Sequence, residues 1–144
     1  MTAYADTSVL GRVYFQQADS AKAIALVRAT PLPLPFTPLH NLEIRNAVRL
    51  RVYRAEADAA QRDAILAAVD ADLAAGVLHA VPLPWAELMR EAERLSAAHT
   101  GRLGCRSLDV LHVAAAVTLG AREFLTFDTR QAALAKTAGL KVKP

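Results

Sequence analysis

The chain has 144 residues, 53% of them hydrophobic and 22% charged, and its formal net charge is +3. This length accommodates one ordinary core, and the apolar content excludes an intrinsically disordered chain. The single cysteine, Cys105, excludes an internal disulfide framework and most cysteine-rich metal sites. We therefore expect one domain over residues 1–144.

Two local features predict a soluble, cytoplasmic protein without membrane association. The longest weakly polar stretch, residues 110–121, is too short to span a bilayer and contains His112 and Thr118. Near the N-terminus, Asp6 falls where a secretory signal peptide would be apolar. The excess of 17 basic over 14 acidic residues is mild, so it permits nucleic-acid binding without requiring it.

Short apolar runs alternate along the chain with segments of helical periodicity. Strands alternating with helices imply a parallel sheet covered on both faces, so the predicted fold class is α/β, with three layers (α/β/α) around a central parallel sheet. In chain order, the sequence predicts a strand at 2–6, a helix at 21–29, a strand at 34–37, helices at 39–54 and 57–75, a strand at 77–81, a helix opened by Pro84, a helix from Ser107 to Gly120, a strand at 123–127, a helix at 129–138 and a strand at 140–142.

Three helices carry expectations about individual side chains. Leu42 is expected to face inward from the helix at 39–54, and Ser107 is expected to be the N-cap of its helix. The helix after Pro84 is expected to bury one apolar face. That face comprises Trp85, Leu88, Met89, Ala92 and Leu95.

Four carboxylates occupy special places in this scheme. Asp6 and Asp128 end predicted strands, while Glu43 and Asp109 lie in the first turns of helices. In an open parallel sheet, strand ends and the following helix starts share one edge, where ligands bind. Like charges disfavour each other's ionised forms, so such a cluster is reasonable if it binds Mg²⁺ or Mn²⁺. Taken singly, Asp109 and Glu43 are better explained by helix capping, and Asp6 and Asp128 are compatible with turn formation at strand ends. The joint placement of the four acids favours a site.

The sequences around these acids resemble the motifs of the PIN domain, the fold of many prokaryotic toxin ribonucleases. The resemblance covers essentially the whole chain, with the motifs in the family's order, and is closest to the VapC-like toxins of type II toxin–antitoxin modules. Its parts are Tyr4–Leu10 (YADTSVL), Leu42–Ala47 (LEIRNA), Ser107–Ala116 (SLDVLHVAAA), Phe124–Gln131 (FLTFDTRQ) and the closing strand in Ala138–Val142 (AGLKV).

The resemblance implies a Mg²⁺- or Mn²⁺-dependent endoribonuclease. It places Asp6, Glu43, Asp109 and Asp128 in the metal site as the catalytic residues. For Glu43 three roles stay open: it binds the metal directly, it holds the metal through a water molecule, or it positions the nucleophile. The resemblance also implies an RNA substrate, a small cognate antitoxin protein, and a homodimer or a higher toxin–antitoxin assembly.

Several polar residues are candidates for supporting roles. The hydroxyls of Thr7 or Ser8 and of Thr126 could contact the acids or serve as ordinary caps, and both interpretations stay open. The spacing of His112, three residues after Asp109, is compatible with metal binding, but the resemblance implies a structural or outer role for it. Arginines expected near the acidic edge could hold the RNA backbone. They are Arg12, Arg45, Arg49, Arg106 and Arg130.

Other functions fit less well. A phosphatase of the haloacid-dehalogenase type needs a second aspartate two residues after Asp6, where this chain has Ser8. A receiver domain needs paired acids at the first strand end. The remaining alternative is a PIN-like module that binds RNA or a protein without cleaving it, and the intact set of four acids disfavours it.

Overall fold

The computed structural model describes residues 3–144, so Thr2 of the first predicted strand lies outside the described residues. These residues form two compact units. The first unit comprises the chain up to Ser8 together with Pro82–Pro144, and the second comprises Val9–Val81. The strands are β1 (Ala3–Ala5), β2 (Leu34–Phe36), β3 (Leu78–Ala80), β4 (Glu123–Leu125) and β5 (Lys141–Lys143).

Helices make up most of the remaining chain. A π-helical segment, Ser96–Thr100, separates two of them. The helices are α1 (Thr7–Tyr14), α2 (Ser20–Arg28), α3 (Pro38–Tyr53), α4 (Ala59–Ala75), α5 (Trp85–Leu95), α6 (Gly101–Leu103), α7 (Ser107–Thr118) and α8 (Thr129–Thr137). Among residues 3–144, no helix is long and apolar enough to cross a membrane.

A parallel sheet in the order β1-β4-β5 forms the centre of the first unit. The pairing continues one residue beyond the strands, because the amide of Asp6 donates to Leu125 O at 3.0 Å and that of Thr126 donates to Lys143 O at 2.9 Å. Asp6 and Thr126 therefore both follow parallel strands at the carboxyl edge of this sheet.

The core of the first unit combines aromatic and small side chains. Tyr4 of β1 stacks on Phe124 of β4, with ring centroids 5.7 Å apart and an interplanar angle of 8°. On α7, the run Val113–Ala116 is fully buried, and α5, which buries Leu88 and Leu95, packs against that helix. The small alanine side chains allow the backbone of α7 to approach its neighbours closely.

The second unit contains a two-stranded parallel pair, β2 and β3, in which Leu34 lies opposite Leu78. Thr37 caps α3: its hydroxyl accepts from the amide of His40, and its own amide donates to His40 Nδ1 at 3.0 Å. Gly76 ends α4 with a φ of 76°, a left-handed conformation that glycine adopts without a Cβ clash.

The sequence predicted every strand and its parallel pairing, but not the division of the strands between two hydrogen-bonded sheets. Leu42 is 68% exposed, contrary to the expectation that it faces inward. Trp85 and Met89 are also about half exposed, at 47% and 54%. The stripe that α5 buries, from Leu88 to Leu95, is narrower than its apolar residues predict, so both side chains lie at its margin.

Candidate active site

Three of the four predicted acids belong to the first unit. Asp6 follows β1, Asp128 follows β4 after Thr126 and Phe127, and Asp109 is the third residue of α7. Asp6 and Asp109 are 2% and 5% exposed, whereas Asp128 is partly exposed. Buried carboxylates require hydrogen-bond donors or counterions, so their partners define what the site can do.

Asp6 accepts hydrogen bonds from two hydroxyl groups that the sequence analysis marked as candidates. Ser8 Oγ donates to Asp6 Oδ1 and Thr126 Oγ1 donates to Asp6 Oδ2, both at 2.6 Å. Each hydroxyl oxygen also accepts a hydrogen bond from a backbone amide. Ser8 accepts from Phe127 at 3.1 Å, and Thr126 accepts from Asp128 at 2.9 Å. The ends of β1 and β4 are thereby tied together around the Asp6 carboxylate.

Asp109 accepts from two different segments of the chain. Its Oδ2 accepts from the backbone amide of Arg106 at 3.0 Å and from Arg106 Nε at 3.2 Å. Its Oδ1 accepts from Gln131 Nε2 at 3.2 Å. Gln131, which is 4% exposed, was not predicted from the sequence. Its position three residues after Asp128, on the turn of α8 that faces the acid, is the signal that could have identified it.

Asp128 begins α8 as its N-cap. Its Oδ1 accepts from the amides of Arg130 and Gln131, both at 2.9 Å, and its Oδ2 lies 3.7 Å from Arg106 Nη2. Asp128 therefore caps its helix through one carboxylate oxygen and approaches Arg106 through the other. At α7, Asp109 similarly caps the helix start through the amide of Arg106. The N-cap residue is Arg106 and not Ser107, because helical geometry begins at Ser107.

A continuous chain of polar contacts links the three acids. It runs from Asp6 through Thr126 to Asp128, and from Asp128 through Arg106 to Asp109. The charge of the acids raises the pKa of Arg106 through its hydrogen bond to Asp109 and the coulombic effects of Asp109 and Asp128. The pKa of the Cys105 thiol is also raised, first by burial and then by the charges of Asp109 and Asp128. Arg106 is thus the direct counterion of two acids.

The donor set suits a hard divalent cation, since its side chains offer carboxylate, hydroxyl and amide oxygens. Within residues 3–144, no three histidine, cysteine or acidic side chains are gathered closely enough to surround one ion. The acids are instead separated by Thr126, Gln131 and the Arg106 guanidinium. Mg²⁺ is commonly held by one or two carboxylates plus water, so this arrangement fits it.

Glu43 lies on α3 in the second unit and is partly buried, so its participation in a four-carboxylate site stays a prediction. Arg45 belongs to the same unit. Its guanidinium donates to Asp70 at 2.7 Å and to Asn41 at 2.8 Å. Within the first unit, Arg106 is the arginine whose guanidinium contacts Asp109 and approaches Asp128. The sequence analysis expected it near the acidic edge but did not predict these contacts.

His112 is buried, with 1% of its surface exposed, and it contacts two hydroxyl groups. Its Nδ1 lies 2.7 Å from Tyr4 Oη and its Nε2 lies 3.2 Å from Thr7 Oγ1. Thr7 directly follows Asp6, so His112 contacts the turn that carries this acid. The expected outer role of His112 agrees with these contacts.

Comparisons with known proteins agree with the sequence motifs. The PIN domain family model matches residues 3–137. VapC20 from Mycobacterium tuberculosis, a toxin that cleaves the sarcin–ricin loop, aligns with a TM-score of 0.71 and 20% identity over 99% of this chain and 100% of its own. VapBC2 from Rickettsia felis, solved with a DNA fragment from its promoter, aligns with a TM-score of 0.68 and 13% identity over 99% and 98% of the two chains.

A further structure, FitAcB from Neisseria gonorrhoeae, has a TM-score of 0.66 and 16% identity, with 99% of this chain and 97% of the other covered. A search of the curated proteins finds no match. At these identities the solved structures show a shared fold, which confirms the PIN-like α/β architecture expected from the sequence. Since the family model spans almost all of its residues, the chain belongs to the PIN-domain family.

Proposed function

We propose that this protein is a metal-dependent endoribonuclease that acts as the toxin of a type II toxin–antitoxin module. The observation that carries the proposal is the linked set of Asp6, Asp109 and Asp128 at the carboxyl edge of a parallel sheet in a PIN-family chain. Glu43 is proposed as the fourth acid on the strength of its motif. The fold shared with VapC20, itself a toxin that cleaves RNA, supports the assignment.

Asp6, Asp109, Asp128 and Glu43 are the residues proposed to hold Mg²⁺ or Mn²⁺. When bound, such ions supply a water of lowered pKa and stabilise charge on the leaving oxygen of a phosphodiester. The chain's own residues prepare this site. Ser8 and Thr126 fix the orientation of the Asp6 carboxylate, each through one donated hydrogen bond, because their hydroxyls are themselves oriented by backbone amides.

Arg106 has a second role in this proposal. Its side chain is 69% exposed, so its guanidinium can exchange the carboxylates of Asp109 and Asp128 for a phosphate oxygen of the RNA. A guanidinium binds phosphate and carboxylate oxygens with similar geometry. In the absence of RNA, the same side chain reduces the repulsion between the two acids.

We also propose a small cognate antitoxin as the partner, a homodimer as the toxin's own assembly, and the cytoplasm as its location. The match of the family model to residues 3–137 supports a single PIN domain over residues 1–144. The fold that this chain shares with VapBC2 supports the proposal of an antitoxin partner.

Purified protein with Mg²⁺ or Mn²⁺ is expected to cleave cellular RNA, and excess EDTA is expected to stop the reaction. Asp6→Ala and Asp109→Asn are expected to reduce cleavage at least a hundredfold, whereas Asp63→Asn, an exposed acid of the second unit, is a matched control. RNA left intact by the wild type in every metal would contradict the proposal. Carboxylate-independent binding of RNA without cleavage would favour a non-cleaving PIN-like module instead.

A further inference from the structure

A cavity of about 270 Å³ opens in the first unit between α5, the π-helical segment and the start of α7. Its volume lies just below the range of about 300–1,000 Å³ that is usual for small-molecule sites, so it suits one heterocyclic ring system and not a larger ligand. Part of its wall is the π-helical segment Ser96–Thr100. Such segments are rare, and they occur frequently at functional sites.

The wall of the cavity combines flat apolar contact with hydrogen-bonding groups. Met89 and Val110 provide apolar surface, and Met89 is 54% exposed on the margin of α5. Glu93, Ser96 and Ser107 provide a carboxylate and two hydroxyls. A thioether and aliphatic groups pack favourably against an aromatic ring, while polar groups at the edge select its hydrogen-bonding pattern.

One buried polar group of this wall has no hydrogen-bond partner within residues 3–144. The hydroxyl oxygen of Thr100, which lines the cavity, is buried and makes no hydrogen bond. Glu93 is exposed to solvent, and within residues 3–144 it makes no ion pair, unlike Glu91 on the same helix, which pairs with Arg94. Its carboxylate is therefore available to a ligand, whereas the Thr100 hydroxyl is the buried group that lacks a partner. A buried polar group without a partner is unfavourable by about 1–3 kcal/mol, and a ligand with matching donors would satisfy it.

The cavity adjoins the acidic site along the chain. Cys105 and Ser107 line it on either side of Arg106, and Val110 lines it next to Asp109. Burial and the charges of Asp109 and Asp128 raise the pKa of the Cys105 thiol, so the two acids are close enough to affect this wall electrostatically. A group bound in the cavity would therefore lie beside the contacts that Arg106 makes with the two acids.

We propose that this cavity binds a guanine base of the RNA, next to the phosphodiester that is cleaved; the inference rests on the proposed ribonuclease function. Guanine presents two neighbouring N–H donors on its Watson–Crick edge, which a carboxylate such as Glu93 accepts together. An anionic group is disfavoured because Glu93 and the nearby acids repel it. A purely apolar side chain is disfavoured because it would leave the buried hydroxyl of Thr100 without a partner.

The first test measures nucleoside binding by calorimetry with guanosine, adenosine, cytidine and uridine, in EDTA so that no cleavage occurs. Guanosine is expected to bind about tenfold more tightly than the other three, and Glu93→Gln is expected to remove about tenfold of its affinity. Glu87→Gln is the matched control, since Glu87 is an exposed acid of the same helix that does not line this cavity. Thr100→Val is expected to weaken guanosine binding several-fold.

The second test compares cleavage of short RNAs that differ by a single guanine near the cut position. The wild type is expected to prefer the guanine-containing RNA about tenfold, and Glu93→Gln is expected to lose this preference while it still cleaves. Guanosine binding without any RNA cleavage would contradict the ribonuclease function alone. Cleavage with equal or absent binding of all four nucleosides would overturn the guanine site alone.

Discussion

Arg106 holds the carboxylate of Asp109 twice, through its backbone amide at 3.0 Å and through its Nε at 3.2 Å, both on the same oxygen, Oδ2. Its Nη2 lies 3.7 Å from Asp128 Oδ2. The guanidinium therefore occupies carboxylate oxygens that a divalent cation would use. The backbone contact would survive substitution of the side chain, so the counterion can be removed without removing the helix cap.

Arg106→Gln is expected to tighten Mn²⁺ binding three- to tenfold, because a competing cation is lost from Asp109 and Asp128. RNA cleavage is expected to fall about tenfold at saturating Mn²⁺, because the contact with phosphate is lost. Calorimetric titration and a cleavage assay measure the two effects. Arg122→Gln, the same charge change at an exposed position, should alter neither. Weaker Mn²⁺ binding in Arg106→Gln would show that the guanidinium supports the metal site instead of competing with it.

Thr126 joins the ends of two strands through one hydroxyl group. Thr126→Val keeps the shape of the side chain but removes the donor to Asp6 and the acceptor for the Asp128 amide. The free energy of unfolding, measured in urea, is expected to fall by about 1–3 kcal/mol because these groups are buried. Cleavage should fall at least tenfold as Asp6 loses its orientation. Thr126→Ser keeps the hydroxyl and loses only the methyl group, so it is expected to retain most of the stability and cleavage. Wild-type stability and cleavage in Thr126→Val would contradict the role of the hydroxyl.

His112 is expected to stabilise the turn that carries Asp6 through its contacts with Tyr4 and Thr7. His112→Phe retains an aromatic ring but loses both polar contacts. The free energy of unfolding, measured in urea, is therefore expected to fall by about 2–3 kcal/mol. His79→Phe, at an exposed position on β3, is the comparison. In the His112→Phe variant we also expect a several-fold weaker Mn²⁺ affinity. Unchanged Mn²⁺ binding, with stability lost, would restrict His112 to a purely structural role.

The sequence was sufficient to predict the strands and the convergence of Asp6, Asp109 and Asp128, because strand ends and helix starts share one edge in any parallel sheet. It also marked Ser8 and Thr126, since short hydroxyl side chains beside acids are common donors. It did not reveal Gln131, whose contact with Asp109 joins two segments of the chain. It also did not reveal the double contact of Arg106, because the rotamers of Arg106 and Asp109 at the start of α7 cannot be read from the sequence.

The errors on α5 have a related cause. Periodicity identifies the direction of a buried stripe but not its width, so Trp85 and Met89 were placed in the core. The width depends on which elements pack against the stripe, and here α5 packs against α7 and buries Leu88 and Leu95. The π-helical segment Ser96–Thr100 carries no recognisable sequence signal, so the cavity that it lines could not be anticipated.

Tyr14 gives the protein a pH dependence at the alkaline end. Its hydroxyl donates to Asp72 Oδ2 at 2.5 Å, and burial, this hydrogen bond and the charge of Asp72 raise the pKa of Tyr14 well above its ordinary value of 10.0. Above pH 10 the unfolded chain releases this proton while the native protein retains it. The native state then binds more protons, so stability is full below pH 10 and falls as the pH rises further.

Tyr14→Phe removes both the hydrogen bond and the proton linkage. The variant is expected to be less stable than the wild type at pH 8, by about 1 kcal/mol. Between pH 10 and pH 11 this difference is expected to shrink by no more than about 1 kcal/mol, a value that allows for the partial exposure of Tyr14 to screening solvent. Urea unfolding at each pH measures it. For Tyr53→Phe, at a side chain that is 86% exposed, the difference in stability from the wild type should not change between pH 8 and pH 11. A constant difference from pH 8 to pH 11 would mean that Tyr14 ionises in the native state as readily as in the unfolded chain.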